Sequence, residues 1–302
     1  MRKPLKIGLW ILGTLAVLLG LLLIAVNVLA DRKRHRVFEV NAAPVAFISD
    51  PAALAAGKYL FESRGCSECH GANGAGHAFV NDPNGLYVRS ANITSAGVVA
   101  KYTERDWVRA IRHGVNPKGN PLVIMPSGDW ARMTDADLAA LVAYARSLPP
   151  VTTENGGVAV VRLPLMVRAL YAFGAINDPA DSIDHTLPPA KAVAVAVSPE
   201  HGGYVAAMCT GCHGPQFSGG KIPGTPPDWP PASNLTPGSG SAMGKYDTPE
   251  KFIAMLRTGK RPDGTAVSRV MPFPSLAAMN DTDSAAVYVF LKTLPPREMG
   301  SR

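Results

Sequence analysis

Cysteine is scarce in this chain of 302 residues, and all four cysteines lie in two copies of one motif. Cys66-Ser-Glu-Cys69-His70 and Cys209-Thr-Gly-Cys212-His213 both read C-x-x-C-H. A C-x-x-C pair alone could form a redox dithiol or half of a zinc site. The histidine that directly follows each pair disfavours both interpretations, and no other cysteine remains to complete a zinc site.

Charged residues are also few, at 18%, and the net charge of +7 is unevenly distributed. Residues 1–36 hold seven of the 30 basic residues and one of the 23 acidic residues, so the remainder carries 23 basic and 22 acidic residues. A nearly neutral body offers no basic patch for phosphates, and we therefore expect no nucleic-acid binding. The basic residues flank an apolar run and fit a membrane surface instead.

The apolar run from Ile7 to Ala30 holds 24 residues without a charge, enough for a helix to cross a bilayer. A cleavable signal peptide is the alternative, because Val28-Leu29-Ala30 loosely fits a cleavage site. The run is longer than a normal signal core and a basic cluster follows it, which favours a retained anchor. We predict a membrane anchor with basic flanks at residues 1–36 and a linker at residues 37–50. Positive charges on both sides leave its orientation open.

C-x-x-C-H is the attachment signature of c-type haem. Two thiols three positions apart reach the two vinyl groups of one porphyrin, and the next histidine stands under the iron. We therefore predict two covalently bound haem c groups. The prediction assigns thioether bonds to Cys66, Cys69, Cys209 and Cys212, and proximal iron ligation to His70 and His213. The 29 glycines and 27 prolines suit short helices and long loops around a haem.

A repeat divides the rest of the chain into two halves. Residues 133–150 match residues 279–296 at an offset of 146, and residues 107–114 match residues 252–259. We predict mostly helical domains at residues 51–150 and 199–302, joined by a connector at residues 151–198. The helices expected in the first domain are Pro51–Arg64, Thr103–His113 and Thr134–Ser147. Residues 162–174 are too short for a second span and are expected to form an amphipathic helix packed between the domains.

The repeat also indicates a sixth iron ligand. Met125-Pro126 and Met271-Pro272 lie 146 residues apart, 55 and 58 residues beyond the motif histidines. A thioether is a soft ligand that raises the potential of c-type haem, and the following proline keeps each methionine extended. We predict Met125 and Met271 as the distal ligands. The histidines expected not to ligate iron are His77, His113, His185 and His201.

Three other groups of residues have open interpretations. Asn92-Ile-Thr94 and Asn234-Leu-Thr236 match the glycosylation sequon, but their repetition favours turns whose side chains bond to backbone or to a haem propionate. Arg112 and Arg257 match across the repeat and could pair with a propionate or lie on a solvated helix face. Trp107, Trp130 and Trp229 could pack on haem edges or in the core.

Taken together, these motifs resemble the multihaem cytochrome c subunits of membrane-bound bacterial alcohol, aldehyde and gluconate dehydrogenases. The resemblance covers roughly residues 50–296 and includes the R-x-G helix ends and the connector R-L-P-L-x-x-R-x-L. It implies two tandem class I cytochrome c domains behind a transmembrane helix. Those subunits typically carry three haems and C-terminal membrane segments, whereas this chain has two motifs and an N-terminal run.

The resemblance implies an electron carrier, not an enzyme, because a His/Met pair leaves the iron no open position. Covalent haem attachment takes place outside the bacterial cytoplasmic membrane, so we expect a single-pass inner-membrane protein with periplasmic haem domains. The expected partners are a dehydrogenase or quinol-linked donor and a respiratory acceptor, such as a terminal oxidase or a soluble cytochrome. The alternatives are a dihaem enzyme of the peroxidase or thiosulfate-oxidising type, or an electron-transfer subunit of a larger oxidase or photosynthetic complex.

Overall fold

The computed structural model describes residues 2–223, 225, 228–238 and 240–301, and most of its regular structure is helical, as predicted. The helices of the N-terminal region and first half are α1 (Arg2–His35), α2 (Pro51–Ser63), α3 (Cys66–His70), α4 (Glu104–His113), α5 (Asp135–Ser147) and α6 (Leu165–Ala172). The helices that follow are α7 (Pro199–Ala206), α8 (Thr210–His213), α9 (Pro249–Thr258), α10 (Phe273–Ala277) and α11 (Asp281–Thr293).

A small antiparallel sheet was not predicted. Its strands are β1 (Ala78–Asn81), β2 (Tyr87–Arg89) and β3 (Val160–Arg162), in that spatial order. Tyr87 pairs with Arg162, so the sheet joins the loop after the first C-x-x-C-H motif to the connector. Strands of three or four residues are too short to show an alternating pattern in the sequence, which is why they escaped prediction.

The helix boundaries follow the predicted signals to within one or two residues, with one informative difference. Thr103 caps α4 and forms a full capping box with Asp106. Thr134 caps α5 by accepting from the Asp137 amide, but the Asp137 carboxylate does not return to Thr134. It accepts from Tyr204 in the other half of the chain instead.

Helix α1 is long and exposed. Within the described residues, the stretch Lys6–His35 is the one helix that is apolar and long enough to cross a membrane. Most of its apolar side chains point away from the protein, with Trp10 and Leu12 being 78% and 65% exposed, whereas Val26 and Ala30 near its end are buried. This surface fits a membrane anchor, because most of the 24 uncharged residues would otherwise contact water.

The basic residues after the span bind the protein body. Lys33 Nζ donates to the carbonyls of Tyr171 and Ile176 at 3.1 and 2.6 Å. Arg36 bridges the carboxylates of Asp178 and Asp181 at 2.6 and 2.5 Å. These bonds fasten the end of α1 to the connector, so Lys33 and Arg36 bind protein groups.

The helix expected between the domains lies elsewhere. Helix α6 packs against α1, and Arg168 donates to Asn27 Oδ1 at 2.5 Å. The prediction was wrong about the neighbour of this helix. An apolar stripe indicates that a helix packs against another surface, but it does not indicate which surface. The linker residues 37–50 contain no helix or strand and rest on the first half, where Ala42 is 4% exposed in the core.

The core of the first half forms where α2 crosses α5. Leu60, Phe61 and Leu138 are at most 5% exposed there. The helices approach so closely that a Cβ on Gly57 would overlap the backbone carbonyl of Ala140. Only glycine permits this crossing, because the obstructing group is backbone and cannot turn aside.

The second half repeats this crossing with α7 and α11. A Cβ on Gly202 would overlap the carbonyl of Ala286, which matches Ala140 across the repeat. An arginine also fastens α4 in the first half and α9 in the second. Arg112 on α4 binds the Met133 carbonyl and Asp135, and Arg257 on α9 binds Asp281. The matched arginines therefore fasten the helix before the Met-Pro turn to the last helix. Arg112 is buried, whereas the Arg257 side chain is 41% exposed and lies on a solvated face.

A junction of polar side chains joins the halves. Tyr59 on α2 donates to Asp283 Oδ2 at 2.6 Å and accepts from the Asn280 amide at 3.2 Å. Its repeat counterpart, Tyr204 on α7, donates to the Asp137 carboxylate and accepts from the Thr134 amide. Each tyrosine thus caps the last helix of the other half, which makes the contact reciprocal, like a twofold interface within one chain.

One side of this junction is ionic and buried. Asp283 also accepts from Arg64 Nη2 and faces His201 Nε2, each at 2.7 Å. Burial opposes ionisation of Asp283, but the Arg64 charge and the hydrogen bonds outweigh it and hold the pKa of this carboxyl below its usual value. The carboxylate is therefore the form that the fold stabilises.

We predict that Gly57→Ala destabilises the full chain by about 1–3 kcal/mol, because α2 and α5 must separate to admit the methyl group. Chemical denaturation followed by far-ultraviolet circular dichroism measures this loss. Gly244→Ala is the matched control, since nothing lies within 4 Å of a Cβ at that position. Equal midpoints for the two variants would contradict the close crossing.

We predict an acid-dependent loss of stability from Asp283. The folded-state pKa is lowered, so its contribution is complete above about pH 4 and declines as the pH falls through the folded pKa. Asp283→Asn should cost about 3–5 kcal/mol at pH 7, because Arg64 is left buried without its partner, and should flatten the pH dependence below pH 4. Denaturation midpoints from pH 2 to 7 test this. Asp137→Asn, which has no buried arginine partner, should keep the acid dependence.

Candidate haem sites

Each C-x-x-C-H motif forms a short helical turn directly after the first helix of its half. Gly65, in the left-handed region at φ 82°, lets the chain turn from α2 into α3. Burial raises the pKa of the Cys66 and Cys209 thiols to about 12 and that of Cys69 to about 11. A reactive dithiol requires a lowered pKa, so this environment disfavours thiol redox chemistry. Across the described residues, no group of three His, Cys, Asp or Glu side chains is placed to hold a metal ion.

The motif histidines have the same orientation. His70 Nδ1 lies 2.9 Å from the Ala91 carbonyl oxygen, and His213 Nδ1 lies 2.8 Å from that of Ser233. A carbonyl only accepts, so in both rings Nδ1 carries the proton and Nε2 presents a lone pair. Burial also lowers the pKa of His70, which keeps its ring neutral. A neutral imidazole fixed through Nδ1 is suited to bind iron through Nε2.

The repeated N-[IL]-T turns hold the loops that carry these carbonyls. Asn92 Oδ1 accepts from the Thr94 amide and hydroxyl, and Asn92 Nδ2 donates to the Val151 carbonyl at 2.6 Å. Asn234 makes the same bonds in the second half, with the Arg297 carbonyl as acceptor at 2.8 Å. Both asparagines are 0% exposed, so these sequons are not glycosylation sites. Of the two interpretations left open, the structure shows side chains bonded to backbone.

The two Met-Pro pairs also share one conformation. Pro126 (φ −78°, ψ 56°) and Pro272 (φ −78°, ψ 71°) are each the centre of an inverse γ-turn. The turns are closed by amide bonds to the Met125 and Met271 carbonyls at 2.8 and 2.9 Å. Both methionines are half-buried, whereas the repeat-matched Met133 and Met279 are 6% and 3% exposed and belong to the cores.

The structure brings three of the four predicted site residues of the second half to one cavity of about 280 Å³, whereas the fourth, Cys212, is exposed. Cys209, His213 and Met271 all line the cavity. Met208, Met255 and Met279 line it as well, but only Met271 has a counterpart in a matched Met-Pro turn. In the first half, Cys66 and Met125 pack against the same apolar cluster.

The residues present fit a covalently bound porphyrin. The cavity in the second half has apolar walls that include Leu235, Leu276 and Leu291, and these walls suit a flat hydrophobic ring. In the first half, Trp130 Nε1 is buried and has no hydrogen-bond partner within the described part of the chain. A haem propionate is the kind of acceptor that such a donor requires. Trp107 is a plain core residue, 6% exposed.

The remaining histidines have other contacts. His113 and His185 face each other with their Nδ1 atoms 3.0 Å apart, and burial lowers the pKa of His113 to about 4. His201 faces Asp283, and His77 lies in the loop after the first motif. That none of the four ligates iron stays a prediction.

Sequence reasoning missed the contacts between each attachment turn and the Met-Pro segment of the other half. Glu68, inside the first motif, accepts from the Ser275 amide and hydroxyl at 3.0 and 2.9 Å. Asp129 lies against Gly211 of the second motif and accepts hydrogen bonds from Gly211 and Thr210. Burial raises the pKa of Asp129 to about 7. In the first contact the attachment turn supplies the carboxylate, and in the second the Met-Pro segment supplies it. The sequence repeat therefore gave no signal that the two contacts are related.

Comparison with known proteins finds a family match in the first half of the chain. Residues 54–149 match the sequence model of cytochrome c. The fructose dehydrogenase cytochrome subunit of Gluconobacter japonicus is 25% identical over 271 residues, which cover 81% of this chain and 53% of that subunit.

Two further relatives match over shorter segments. The cytochrome c subunit of the quinone alcohol dehydrogenase of Gluconobacter oxydans is 36% identical over 97 residues, covering 30% of this chain and 20% of that subunit. The gluconate 2-dehydrogenase cytochrome c subunit of Pantoea cypripedii is 34% identical over 107 residues, with coverages of 33% and 24%. The chain thus spans about half or less of these relatives. All three are named as cytochrome subunits, in agreement with the prediction of an electron-transfer component. Residues 54–149 form a cytochrome c domain that implies covalently bound haem c, in a chain similar to the cytochrome c subunits of bacterial dehydrogenases.

Proposed function

We propose that this chain is a membrane-anchored dihaem c-type cytochrome that carries single electrons between a dehydrogenase or quinol-linked donor and a respiratory acceptor. The observation that carries the proposal is the shared geometry of the two halves. Each has a motif histidine fixed through Nδ1 and a methionine before an inverse γ-turn. When bound, haem c supplies a one-electron iron couple.

The proposal gives each half the same set of roles. Cys66 and Cys69 bind one haem, and His70 and Met125 bind its iron. Cys209, Cys212, His213 and Met271 do the same in the second half. The protein's part is to keep each imidazole neutral and oriented, to hold the methionine turn fixed, and to exclude water with apolar side chains. A histidine and a methionine that both held the iron would leave no position on it for a substrate, which favours electron transfer over substrate chemistry.

The second half is proposed as a second cytochrome c domain, at residues 199–302. Its support is the recurrence of the glycine crossing, the buried Asn–Thr turn and the arginine clamp at matched positions. The connector spans residues 151–198, between this domain and the one at residues 51–150.

The proposed location is the bacterial inner membrane, with the haem domains in the periplasm. Helix α1 supplies the single span, and covalent haem attachment outside the cytoplasm decides the orientation. The relatives are dehydrogenase subunits, which supports a dehydrogenase as the electron donor. The acceptor is proposed to be a terminal oxidase or a soluble cytochrome.

We predict that the purified full chain carries two haems and that both are low-spin in the ferric state, because each iron has a His/Met pair. A pyridine haemochrome assay gives the haem count, and the optical spectrum should show a near-infrared methionine–iron band from each site. The double variant Cys209→Ala, Cys212→Ala should retain one haem. Fewer than two haems in the parent would disprove the dihaem proposal, and a high-spin signal would favour an enzyme of the peroxidase type.

We predict that Met125→His lowers the potential of one haem, and Met271→His that of the other, each by about 0.1–0.3 V. Axial ligands span a range of about 0.8 V, and replacing a thioether by an imidazole stabilises the ferric state. A spectroelectrochemical titration measures both couples. Met166→His is the matched control, because Met166 is 72% exposed on α6. An unmoved titration curve would show that the substituted methionine is not a ligand.

A further inference from the structure

Helix α6 has an apolar face that points away from the protein. Met166, Leu170 and Phe173 are spaced at i, i+4 and i+7 and are 72%, 42% and 61% exposed. This spacing places them on one side of the helix. Tyr171, on the side that meets the protein, is 1% exposed. A helix on the surface of a water-soluble protein has the opposite arrangement, with its apolar stripe turned inward.

The position of α6 relative to α1 is fixed by several bonds. Arg168 binds Asn27 in the last part of the apolar run, and Lys33 binds carbonyls in and just after α6. Arg34 donates to the carbonyl of Val161 at 2.9 Å, and Val161 lies in β3, four residues before α6 begins. The two helices are therefore held as one body, and the depth of α1 sets the depth of α6.

That depth matches the boundary between lipid headgroups and acyl chains. Asn27 lies three residues before Ala30, the end of the apolar run. At a rise of about 1.5 Å per residue, Arg168 meets α1 roughly 4–5 Å inside the end of the run. Interfacial helices bury their apolar faces about 5–10 Å into this region.

We propose that α6 is a second membrane contact, whose face formed by Leu165, Met166, Leu170 and Phe173 inserts into the phospholipid interface beside α1. This inference rests on the membrane anchoring included in the proposed function. A bilayer is the occupant because the face adjoins the exposed apolar surface of α1 at its membrane end. Leu165, 55% exposed, extends the face along the first turn of α6. The first half is thereby held against the membrane surface at a fixed tilt.

Site-directed spin labelling of the full, haem-loaded chain in phospholipid nanodiscs tests this contact. Met166→Cys and Phe173→Cys each introduce one new thiol at an exposed position. The parent chain, treated with the same spin label, reports any background from the motif cysteines. Leu15→Cys, in the middle of α1, is the lipid reference. Val195→Cys is the water reference, because Val195 is equally apolar and 72% exposed on the connector.

The labels on α6 are expected to collide several-fold more with oxygen than with a water-soluble nickel complex, relative to the label at Val195. A lipid-like signal at Leu15 with water-like signals at both α6 positions would overturn the contact and leave the anchor intact. In that case a protein partner, not lipid, would be the occupant to seek. A water-like signal at Leu15 would instead refute the anchor, and the α6 contact with it.

Discussion

The structure depends on how closely the first and last helices of each half can approach. At Gly57 and Gly202 the space for a side chain is already taken by a backbone carbonyl of the opposite helix. This contact fixes the crossing, and the crossing fixes where the attachment turn starts. In the first half α3 begins three residues after α2 ends, and in the second half a 3₁₀ turn at Ala207–Cys209 connects α7 to α8. The positions of the motif histidines are therefore set by backbone packing in the core. Their final orientation comes from a single carbonyl acceptor in each half.

The polar junction sets the halves relative to each other. Tyr59 and Tyr204 each bind the start of the other half's last helix, and each attachment turn touches the other half's Met-Pro segment. A shift of one half would therefore disturb the supports of both candidate sites. The ionic group around Asp283 makes this arrangement specific, because a buried carboxylate and a buried arginine must meet with correct geometry or remain costly in the interior.

The sequence predicted the features that depend on local spacing. The helix ends and the recurrence at an offset of 146 residues follow from short motifs, and the structure places the helix ends as expected. The inverse γ-turns at the two Met-Pro pairs were not predicted. Features that depend on tertiary neighbours could not be predicted. Asp137 has the position of a capping-box residue yet serves the junction, and α6 has an amphipathic pattern yet turns its apolar side outward. In the first case the partner is more than 60 residues away, and in the second the apolar side faces away from the protein. Spacing along the sequence carries no information about either.

The reciprocity of the junction limits how such a chain can grow. When two units meet through the same patches on each side, every patch is occupied once the pair has formed. A head-to-tail contact, in contrast, always leaves one surface ready for the next unit. A further unit fused to this chain would thus have to dock through different residues, outside the surfaces that the tyrosines of the two halves already use.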